Sequence, residues 1–318
     1  MHVLGIDAGG TKTVCYLADA DGRIVGEGRG GGANLQADGE LEVEKILHAV
    51  IEGATDNRAI LPGAICLGVA GVDREEDDRI MRGIVRRLGF RHHALVVNDA
   101  LVALVAGTGD APGVVLIAGT GSIAYGVNDA GFAARSSGWG WVLGDEGSGY
   151  WIGREALTAV MRHSDGRGSN TLLTPLVFEH FQITRADGLV REVYDRSLRR
   201  QSVAALGPIV DRARAEGDVV ASEILHKAGE ELSRAAGSVI ERLEMRGEAF
   251  RIVLAGGMFR VIPWLADLVA AHLAEIAPRA IASRLEVEPA VGAVHLAVRE
   301  ARGVARVPPY LESTRTTA

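Results

Sequence analysis

Short apolar runs separated by glycine-containing turns open the chain and predict a β-rich start. Asp21-Gly22 joins two of these runs, and this dipeptide is typical of a tight hairpin turn. A continuous apolar run at 64–69 then predicts a buried parallel strand. The elements expected in the first half are strands at 3–6, 13–18, 23–28, 64–69 and 95–97 and helices at 40–54, 74–88 and 100–106.

The second half repeats this β-β-β-α-β-α-β-α order around a long helical insertion. The elements expected there are strands at 114–118, 122–127, 131–135, 251–255 and 284–287, helices at 263–274 and 290–301, and the insertion at about 151–246. Because one order of elements occurs twice, we expect an α/β fold of two duplicated domains with a cleft between them. A chain of 318 residues has room for two separate cores.

Two glycine-rich turns occupy equivalent places in the two halves. The first is Asp7-Ala8-Gly9-Gly10-Thr11-Lys12-Thr13, the second is Ala118-Gly119-Thr120-Gly121-Ser122, and each follows an apolar strand. Glycine permits positive φ and keeps side chains away from an anion, so backbone N–H groups can converge on phosphates. Ordinary hairpins contain such glycines too, but their equivalence in a duplicated unit favours a nucleoside triphosphate held between the halves.

The side chains of these turns suit a complex of Mg²⁺ with a triphosphate. Asp7 ends the first strand, and its carboxylate would hold Mg²⁺ through water because this ion retains part of its hydration shell. Thr11 and Lys12 would supply a hydroxyl and a cation to the β- and γ-phosphates. Matching donors from the second half would be Gly119, Thr120, Gly121 and Ser122.

Asn98-Asp99 follows an interior strand, at the edge where open α/β sheets place their ligand crevice. Asp99 could accept a proton from an attacking hydroxyl, or it could cap the helix that begins at Ala100. Its position facing the cleft favours the catalytic role.

A segment dense in glycine, tryptophan and acid spans residues 138–151 and suits a shaped binding loop. Carboxylates hydrogen-bond sugar hydroxyls, which makes Asp145 a candidate sugar ligand. Backbone groups nearby would contribute from Gly138, Trp139 and Gly140. Trp141 and Trp151 are expected to anchor the loop in the second core.

Two further loops are candidates for ligand contact. Asn34 follows three glycines and offers an exposed amide. Gly256-Gly257 ends the strand at 251–255 and would let a base or ribose approach the backbone closely, although a tight strand-to-helix turn explains these glycines almost as well.

Composition excludes several functional classes. A net charge of −7 offers no basic surface for nucleic acid or an anionic membrane. Cys15 and Cys66 are too isolated for a metal cluster or a disulfide framework, and we expect both in the buried core. The first strand is expected from His2 with no charged n-region or apolar h-region before it, which argues against a signal peptide, and the most apolar stretch, 101–127, is broken by glycines and a proline. We therefore expect a cytoplasmic protein whose partners are small molecules.

With these motifs in order, the chain resembles the superfamily of acetate and sugar kinases, actin and heat-shock chaperones. It is most similar to the branch that holds N-acetylglucosamine kinases, glucosamine kinases, an archaeal hexokinase and the BadF/BadG/BcrA/BcrD-type ATPases. The segment at 138–151 is the part most specific to sugar kinases. The resemblance implies two ribonuclease-H-like domains in an actin-like ATPase fold. The first would comprise 1–110 plus about 290–318, because the closing helix packs back on it, and the second 111–289.

The resemblance also implies roles for individual residues. ATP phosphates and Mg²⁺ would lie at Asp7, Gly10, Thr11 and Thr120, and Asp99 would be the base toward a sugar 6-hydroxyl. The implied nucleotide contacts are Gly217 and Gly257. The implied sugar contacts are Asn34, Ser122, Ile123, Gly138, Trp139, Gly140 and Asp145.

The leading hypothesis is an ATP-dependent kinase for N-acetylglucosamine or a related amino sugar. A broad-specificity hexokinase or glucosamine kinase is the alternative within this class. An activator ATPase is disfavoured because neither cysteine suits a subunit-bridging iron–sulfur cluster. A non-catalytic sugar-sensing regulator is disfavoured because Asp99 and both phosphate turns are present. A homodimer contact on the helix predicted at 218–243 stays open, since the second domain's core explains its apolar face equally well.

Overall fold

A computed structural model describes residues 1–56, 60–72, 74–195 and 198–311. It contains two five-stranded sheets with one strand order, β3-β2-β1-β4-β5 in the first and β8-β7-β6-β9-β10 in the second. The first sheet comprises His2–Ala8 (β1), Lys12–Asp19 (β2), Ile24–Gly31 (β3), Ala64–Val69 (β4) and Ala94–Asn98 (β5). The second comprises Gly113–Ala118 (β6), Ser122–Val127 (β7), Ala133–Ser137 (β8), Arg251–Ala255 (β9) and Ile281–Arg284 (β10). The predicted duplicated α/β architecture is confirmed.

Helices cover both sheets and fill the insertion between β8 and β9. The first half contains Leu35–Asp38 (α1), Glu40–Thr55 (α2), Glu75–Arg87 (α3) and Asp99–Thr108 (α4). The insertion contains Gly149–Ser164 (α5), Leu173–Phe181 (α6), Ala186–Val190 (α7), a π-helical turn at Arg191–Asp195, Arg200–Ala204 (α8), Gly207–Ala215 (α9) and Val219–Arg242 (α10). The chain continues through Gly257–Val261 (α11), Pro263–Ile276 (α12) and Ala290–Ala301 (α13). In the described ranges, every helix is too short or too polar to cross a membrane.

The predicted bounds of two strands were wrong. The last strand, expected at 284–287, is Ile281–Arg284, which pairs in parallel with β9 along its whole length. The strand expected at 131–135 is Ala133–Ser137, because Gly131, with φ of 80°, closes the preceding hairpin turn. Both are the outermost strands of the sheet, where the apolar pattern is weak, and in the described part of the chain the outer side of β8 has only a single bridge from Ala133 to Tyr310.

Separate cores stabilise the two sheets. One packs β1, β2, β4 and β5 against α2 and α3, and another packs the second sheet against α10, α5, α9 and α12. The apolar face of α10 lies in this second core, so the core explanation of that face is correct. Cys15 and Cys66 are both fully buried, as predicted.

A third core joins the halves through α4 and α13. Helix α13 packs on β1 and β4, whereas α4 packs on α13 and on β6, β7 and β9. The approach is close: a Cβ added to Gly5 would lie 2.3 Å from Val294 N, and one added to Gly292 would lie 2.0 Å from Val102 O. The carboxyl ends of β1 and β5 are thereby held next to the second sheet. The domain boundaries near 110 and 290 stay predictions, and residues 312–318 lie outside the described part.

Candidate active site

The two glycine-rich turns meet each other at the cleft. The hydroxyl oxygens of Thr11 and Thr120 share a hydrogen bond of 2.9 Å. Each turn is closed by a backbone hydrogen bond within it, 3.0 Å from Gly9 N to Lys12 O in the first and 2.9 Å from Gly119 N to Gly121 O in the second. Two hairpin turns that are distant in the chain therefore form one surface.

Open space lies above both turns. A Cβ added to Gly10 or Gly257 would have no heavy atom within 4 Å, and one added to Gly119 would meet only Gly121 O at 3.9 Å. Backbone on this surface is thus free to approach a ligand closely. These glycines form a cradle that side chains would fill.

The loop at 32–34 packs against the first turn. Ala33 N donates to Gly9 O at 3.0 Å, and a Cβ on Gly32 would lie 2.4 Å from Gly10 O. Asn34 follows directly at the start of α1, and its backbone N–H donates to an Asp38 carboxylate oxygen at 3.0 Å. The structure therefore places Asn34 beside the first turn.

Asp7 and Asp99 lie at the carboxyl ends of β1 and β5, with β4 between them. Burial, and after it the nearby Asp99 carboxylate, raise the pKa of Asp7 to about 7 even though the Lys12 ammonium acts to lower it. Helix α4 begins at Asp99 itself, and Asn98 Oδ1 accepts the Ala100 N–H at 2.8 Å. The capping alternative for Asp99 was therefore wrong, because Asn98 is the cap.

Lys12 is engaged by an acidic residue that the sequence reasoning missed. Its ammonium donates to Glu288 Oε2 at 2.6 Å, and Arg29 lies 3.4 Å from Glu288 Oε1. Burial raises the pKa of Glu288, but its bonds with Lys12 and Arg29 outweigh this and hold the pKa below its ordinary value. Glu288 stands just before α13, and only the return of that helix to the first sheet brings it here.

The sugar-loop candidates at 138–145 attach to the second turn through Asp145. Asp145 Oδ1 accepts the Gly140 N–H at 3.2 Å, and a Cβ on Gly121 would lie 2.6 Å from Asp145 Oδ2. Burial raises the pKa of Asp145, while the backbone N–H groups of Gly140 and Ser122 lower it. The Ser122 hydroxyl donates to Glu146 O at 2.9 Å. Turn and loop therefore form one connected unit.

Helix α5 supports this unit from behind. Gly149 N donates to Gly119 O at 2.8 Å and Tyr150 N to Thr120 O at 3.3 Å. Ser148 caps the same helix by accepting the Trp151 N–H at 3.2 Å. The carbonyls of the second turn are thus held by the α5 N-terminus, which leaves the opposite face of the turn toward the cleft.

The tryptophans of the loop divide into two groups. Trp151 packs against the second core, as predicted. Trp141 is 45% exposed and rests edge-on against Tyr150, so its predicted anchoring in that core was wrong. Trp139 is also exposed, beneath the guanidinium of Arg135. Gly138 contacts the predicted sugar residue Ile123, whose side chain would lie 2.9 Å from an added Cβ.

The two nucleotide candidates lie apart. Gly256 adopts φ of 100°, and its added Cβ would lie 2.4 Å from Ala118 O, so this turn lies against the strand that leads into the second phosphate turn. Gly207, at the start of α9, contacts Met258 nearby. Gly217 follows the other end of α9, about 15 Å away along the helix axis. Its nucleotide role stays a prediction.

A short helix of the insertion reaches across the cleft. Gln201 Nε2, on α8, donates to Gly10 O in the first turn at 3.1 Å. The Arg200 guanidinium next to it is among the charges that lower the pKa of Asp145. Neither residue has a signal in the sequence, because both lie in a short polar run at 199–202 that contains no recognisable motif.

No cluster of three or more histidine, cysteine or acidic side chains that could hold a metal ion occurs in the described residues. The neighbouring carboxylates of Asp7 and Asp99 instead suit an ion bound mainly by phosphate and water, which is the usual manner of Mg²⁺.

Duplicated sheets, facing glycine turns and paired strand-end carboxylates define an ATPase of the actin-like fold. The chain belongs to the BadF/BadG/BcrA/BcrD ATPase family, whose model matches residues 4–297. It is 35% identical to the N-acetylmuramic acid/N-acetylglucosamine kinase of Clostridium acetobutylicum over 94% of this chain and 99% of that protein. It is 35% identical to the N-acetyl-D-glucosamine kinase of Dictyostelium discoideum over 93% and 97%.

Solved structures show the same architecture. A protein from Chromobacterium violaceum, provisionally named an N-acetylglucosamine kinase, superposes with a TM-score of 0.75 at 25% identity, covering 93% of this chain and 98% of that one. A ROK family glucokinase from Streptomyces griseus, in complex with glucose and AMPPNP, superposes with a TM-score of 0.60 at 15% identity over 95% and 100%. The second likeness shows the fold alone.

Proposed function

We propose that this protein transfers the γ-phosphoryl group of ATP to the 6-hydroxyl of N-acetylglucosamine or a related amino sugar. The observation that carries the proposal is the contact between the two glycine turns through Thr11 and Thr120, directly beside Asp7 and Asp99. The 35% identity with amino-sugar kinases along nearly the whole chain supports the choice of acceptor.

ATP fits the cradle because the glycines at 10, 119 and 257 leave space for phosphates and nucleoside against bare backbone. Mg²⁺ fits because Asp7 is a buried carboxylate whose pKa is raised by burial and by the nearby Asp99 carboxylate, so a cation would stabilise its ionised form. ATP supplies the phosphoryl group, and Mg²⁺ would neutralise charge on the β- and γ-oxygens. Asp7 would hold the ion through water.

Asp99 would act as general base. It would accept the proton of the 6-hydroxyl as the bond from sugar oxygen to γ-phosphorus forms and the bond from γ-phosphorus to the β–γ bridging oxygen breaks. ADP leaves with that electron pair. Asp99 is half-buried at the first residue of α4, where the positive end of the helix stabilises its ionised form.

The sugar would bind between the Asn34 loop and the loop at 138–145. Asp145 is already fixed by Gly140 N–H, so it offers a preorganised acceptor for sugar hydroxyls. Gly138 and Gly140 both adopt positive φ, which turns their backbone groups out of the extended strand β8. The N-acyl group would lie against this backbone, in contact with Ile123.

The experiment that tests this function measures ADP release with a panel of sugars. The panel contains N-acetylglucosamine, N-acetylmuramic acid, glucosamine, glucose and N-acetylmannosamine, and the product is examined by NMR for phosphate at O6. We expect the highest kcat/KM with an N-acetylated sugar. Comparable turnover of glucose would favour the broad hexokinase alternative, and binding of sugar without turnover of any member would favour a sugar sensor. We also propose that the reaction depends on Mg²⁺ and that the protein is a homodimer in the cytoplasm.

A further inference from the structure

Negative charge accumulates around the cleft. Asp7 and Asp99 lie at the ends of β1 and β5, on either side of β4, Glu288 is near enough to raise the pKa of Asp7, and Asp145 borders the second turn. A triphosphate would add more negative charge at the same place. The Lys12 ammonium, the cation expected on the first turn, is already paired with Glu288. A positive side chain, in addition to Mg²⁺, would therefore stabilise the charge that phosphoryl transfer places here.

Helix α8 brings such a group to the cleft. Gln201 binds the first turn at Gly10 O over a distance of 3.1 Å, and Arg200 is its chain neighbour. On the other side, the positive charge of Arg200 acts on Asp145. Arg200 is thus next in the chain to a contact with the first turn, which belongs to one half, and within electrostatic range of Asp145 in the loop at 138–145, which belongs to the other.

Close packing holds α8 in this place. A Cβ added to Gly153 of α5 would lie 2.0 Å from Val203 O, and one added to Gly149 would lie 3.1 Å from Ala204 Cβ. Helix α5 is the same helix that supports the second turn at Gly119. The position of α8 is therefore tied to the phosphate turn by one continuous set of contacts.

The Arg200 side chain is half-buried and available. Within the described ranges, it takes part in no hydrogen bond or ion pair. Arginine presents a planar fork of N–H donors that matches phosphate oxygens, and its charge is retained at every physiological pH. Arg199, one residue earlier, is exposed and offers a matched comparison.

We propose that Arg200 is a catalytic residue that donates hydrogen bonds to the γ-phosphoryl oxygens of ATP during transfer. The proposal rests on the kinase function proposed above. The guanidinium stabilises the charge that spreads over these oxygens while the bond to the sugar oxygen forms and the bond to the bridging oxygen breaks. Gln201 positions α8 for this contact and does not itself touch the phosphate.

The test compares Arg200→Gln with Arg199→Gln, because both remove one positive charge from neighbouring positions. We expect Arg200→Gln to lower kcat/KM roughly 10²- to 10³-fold, mainly through kcat. Arg199→Gln should stay within about twofold of the wild type, as is usual for exposed positions. Arg200→Lys should recover part of the loss, since it restores charge without the fork. Circular dichroism and thermal unfolding check that each variant is folded.

A second readout does not depend on sugar turnover. Calorimetric titration with the non-hydrolysed analogue AMPPNP and with ADP, both with Mg²⁺, measures the contact with the third phosphate. We expect Arg200→Gln to weaken AMPPNP binding about tenfold and to leave ADP binding unchanged. Equal weakening of both nucleotides, or a rise in sugar KM at unchanged kcat, would overturn the proposal and make Arg200 a partner of Asp145. If no sugar is phosphorylated, the kinase proposal fails while this titration still decides the role of Arg200.

Discussion

Two carboxylates at one edge of the first sheet have different environments. Asp7 is buried at the end of a central strand, and its pKa is raised to about 7. Asp99 begins a helix whose cap is supplied by the preceding Asn98. Different environments give neighbouring carboxyl groups different pKa values, and this allows the two groups to take different roles in one site. This difference fits the proposed roles, in which Asp7 would hold the cation and Asp99 would accept the proton.

Asp99→Asn should remove turnover and retain binding. The amide keeps the shape of the side chain but cannot accept the hydroxyl proton, so we expect kcat to fall roughly 10²- to 10⁴-fold. Steady-state kinetics measure this loss, and calorimetry should find nucleotide and sugar affinity near the wild-type values. An Asp99→Asn enzyme with nearly full kcat would refute the assignment of the base.

Asp7→Asn should stabilise the ligand-free protein at high pH. The folded-state pKa of about 7 lies above the ordinary value of 3.8, so the folded protein binds a proton at Asp7 more tightly than the unfolded chain does. The stability that this proton provides is complete below pH 4 and is lost as the pH rises through 7. Asparagine carries no charge, and at pH 8 the variant should exceed the wild type by roughly 2–4 kcal/mol in unfolding free energy. Urea titrations at pH 4.5 and 8 measure the difference. A gain that is equal at both pH values would contradict the burial of an ionisable Asp7.

Ser137→Gly should also stabilise the fold. Ser137 ends β8 with φ of 64°, and its buried hydroxyl oxygen has no hydrogen-bond partner among the described residues. Glycine adopts this φ without strain and removes the hydroxyl, so we expect a gain of about 1 kcal/mol in urea unfolding. Ser136→Gly, inside the strand opposite Ala124, is the control and should cost about 0.5–1 kcal/mol. Loss of stability in Ser137→Gly would indicate a partner for the hydroxyl in solution.

At the level of helices and strands, the sequence predicted the elements that depend on residues close together in the chain. Hairpin turns, buried central strands and amphipathic helices were placed correctly, because glycine, apolar runs and helical spacing act over a few residues. The predicted bounds of the outermost strands β8 and β10 were displaced, since the position of each strand depends mainly on its pairing with one neighbouring strand. Glu288, Arg200 and Gln201 were not found, because only tertiary packing of α13 and α8 brings these polar residues to the cleft.

Two glycine-to-alanine changes in helices should have opposite effects. Gly292 of α13 faces α4, and its added Cβ would lie 2.0 Å from Val102 O, so alanine there must push the helices apart. We expect Gly292→Ala to cost more than about 2 kcal/mol. Gly83 of α3 has only the end of the Arg87 side chain nearby, at 3.5 Å, and alanine should stabilise it by up to about 1 kcal/mol through helix propensity. Thermal unfolding compares the pair, and equal effects would contradict close packing of α4 on α13.

At the level of the whole molecule, the halves share a core. The cluster around α4 and α13 contains Val3 and Val14 from the first sheet and Val115 and Tyr125 from the second. Unfolding either half would expose this shared apolar surface, which adds a free-energy penalty to any half-folded state. The same core sets the distance between the facing turns, so stability and the geometry of the site depend on one set of contacts.

We therefore expect one unfolding transition for both halves. All four tryptophans lie in the second half, at Trp139, Trp141, Trp151 and Trp264, so their fluorescence reports on that half alone. Circular dichroism reports on the helices of both. The two urea curves should coincide, and in Gly292→Ala they should shift together to lower urea. A fluorescence midpoint apart from that of circular dichroism would mean that the halves unfold independently. In that case the α4–α13 core would be too weak to hold the two phosphate turns at a set distance, and their contact would depend on the bound nucleotide.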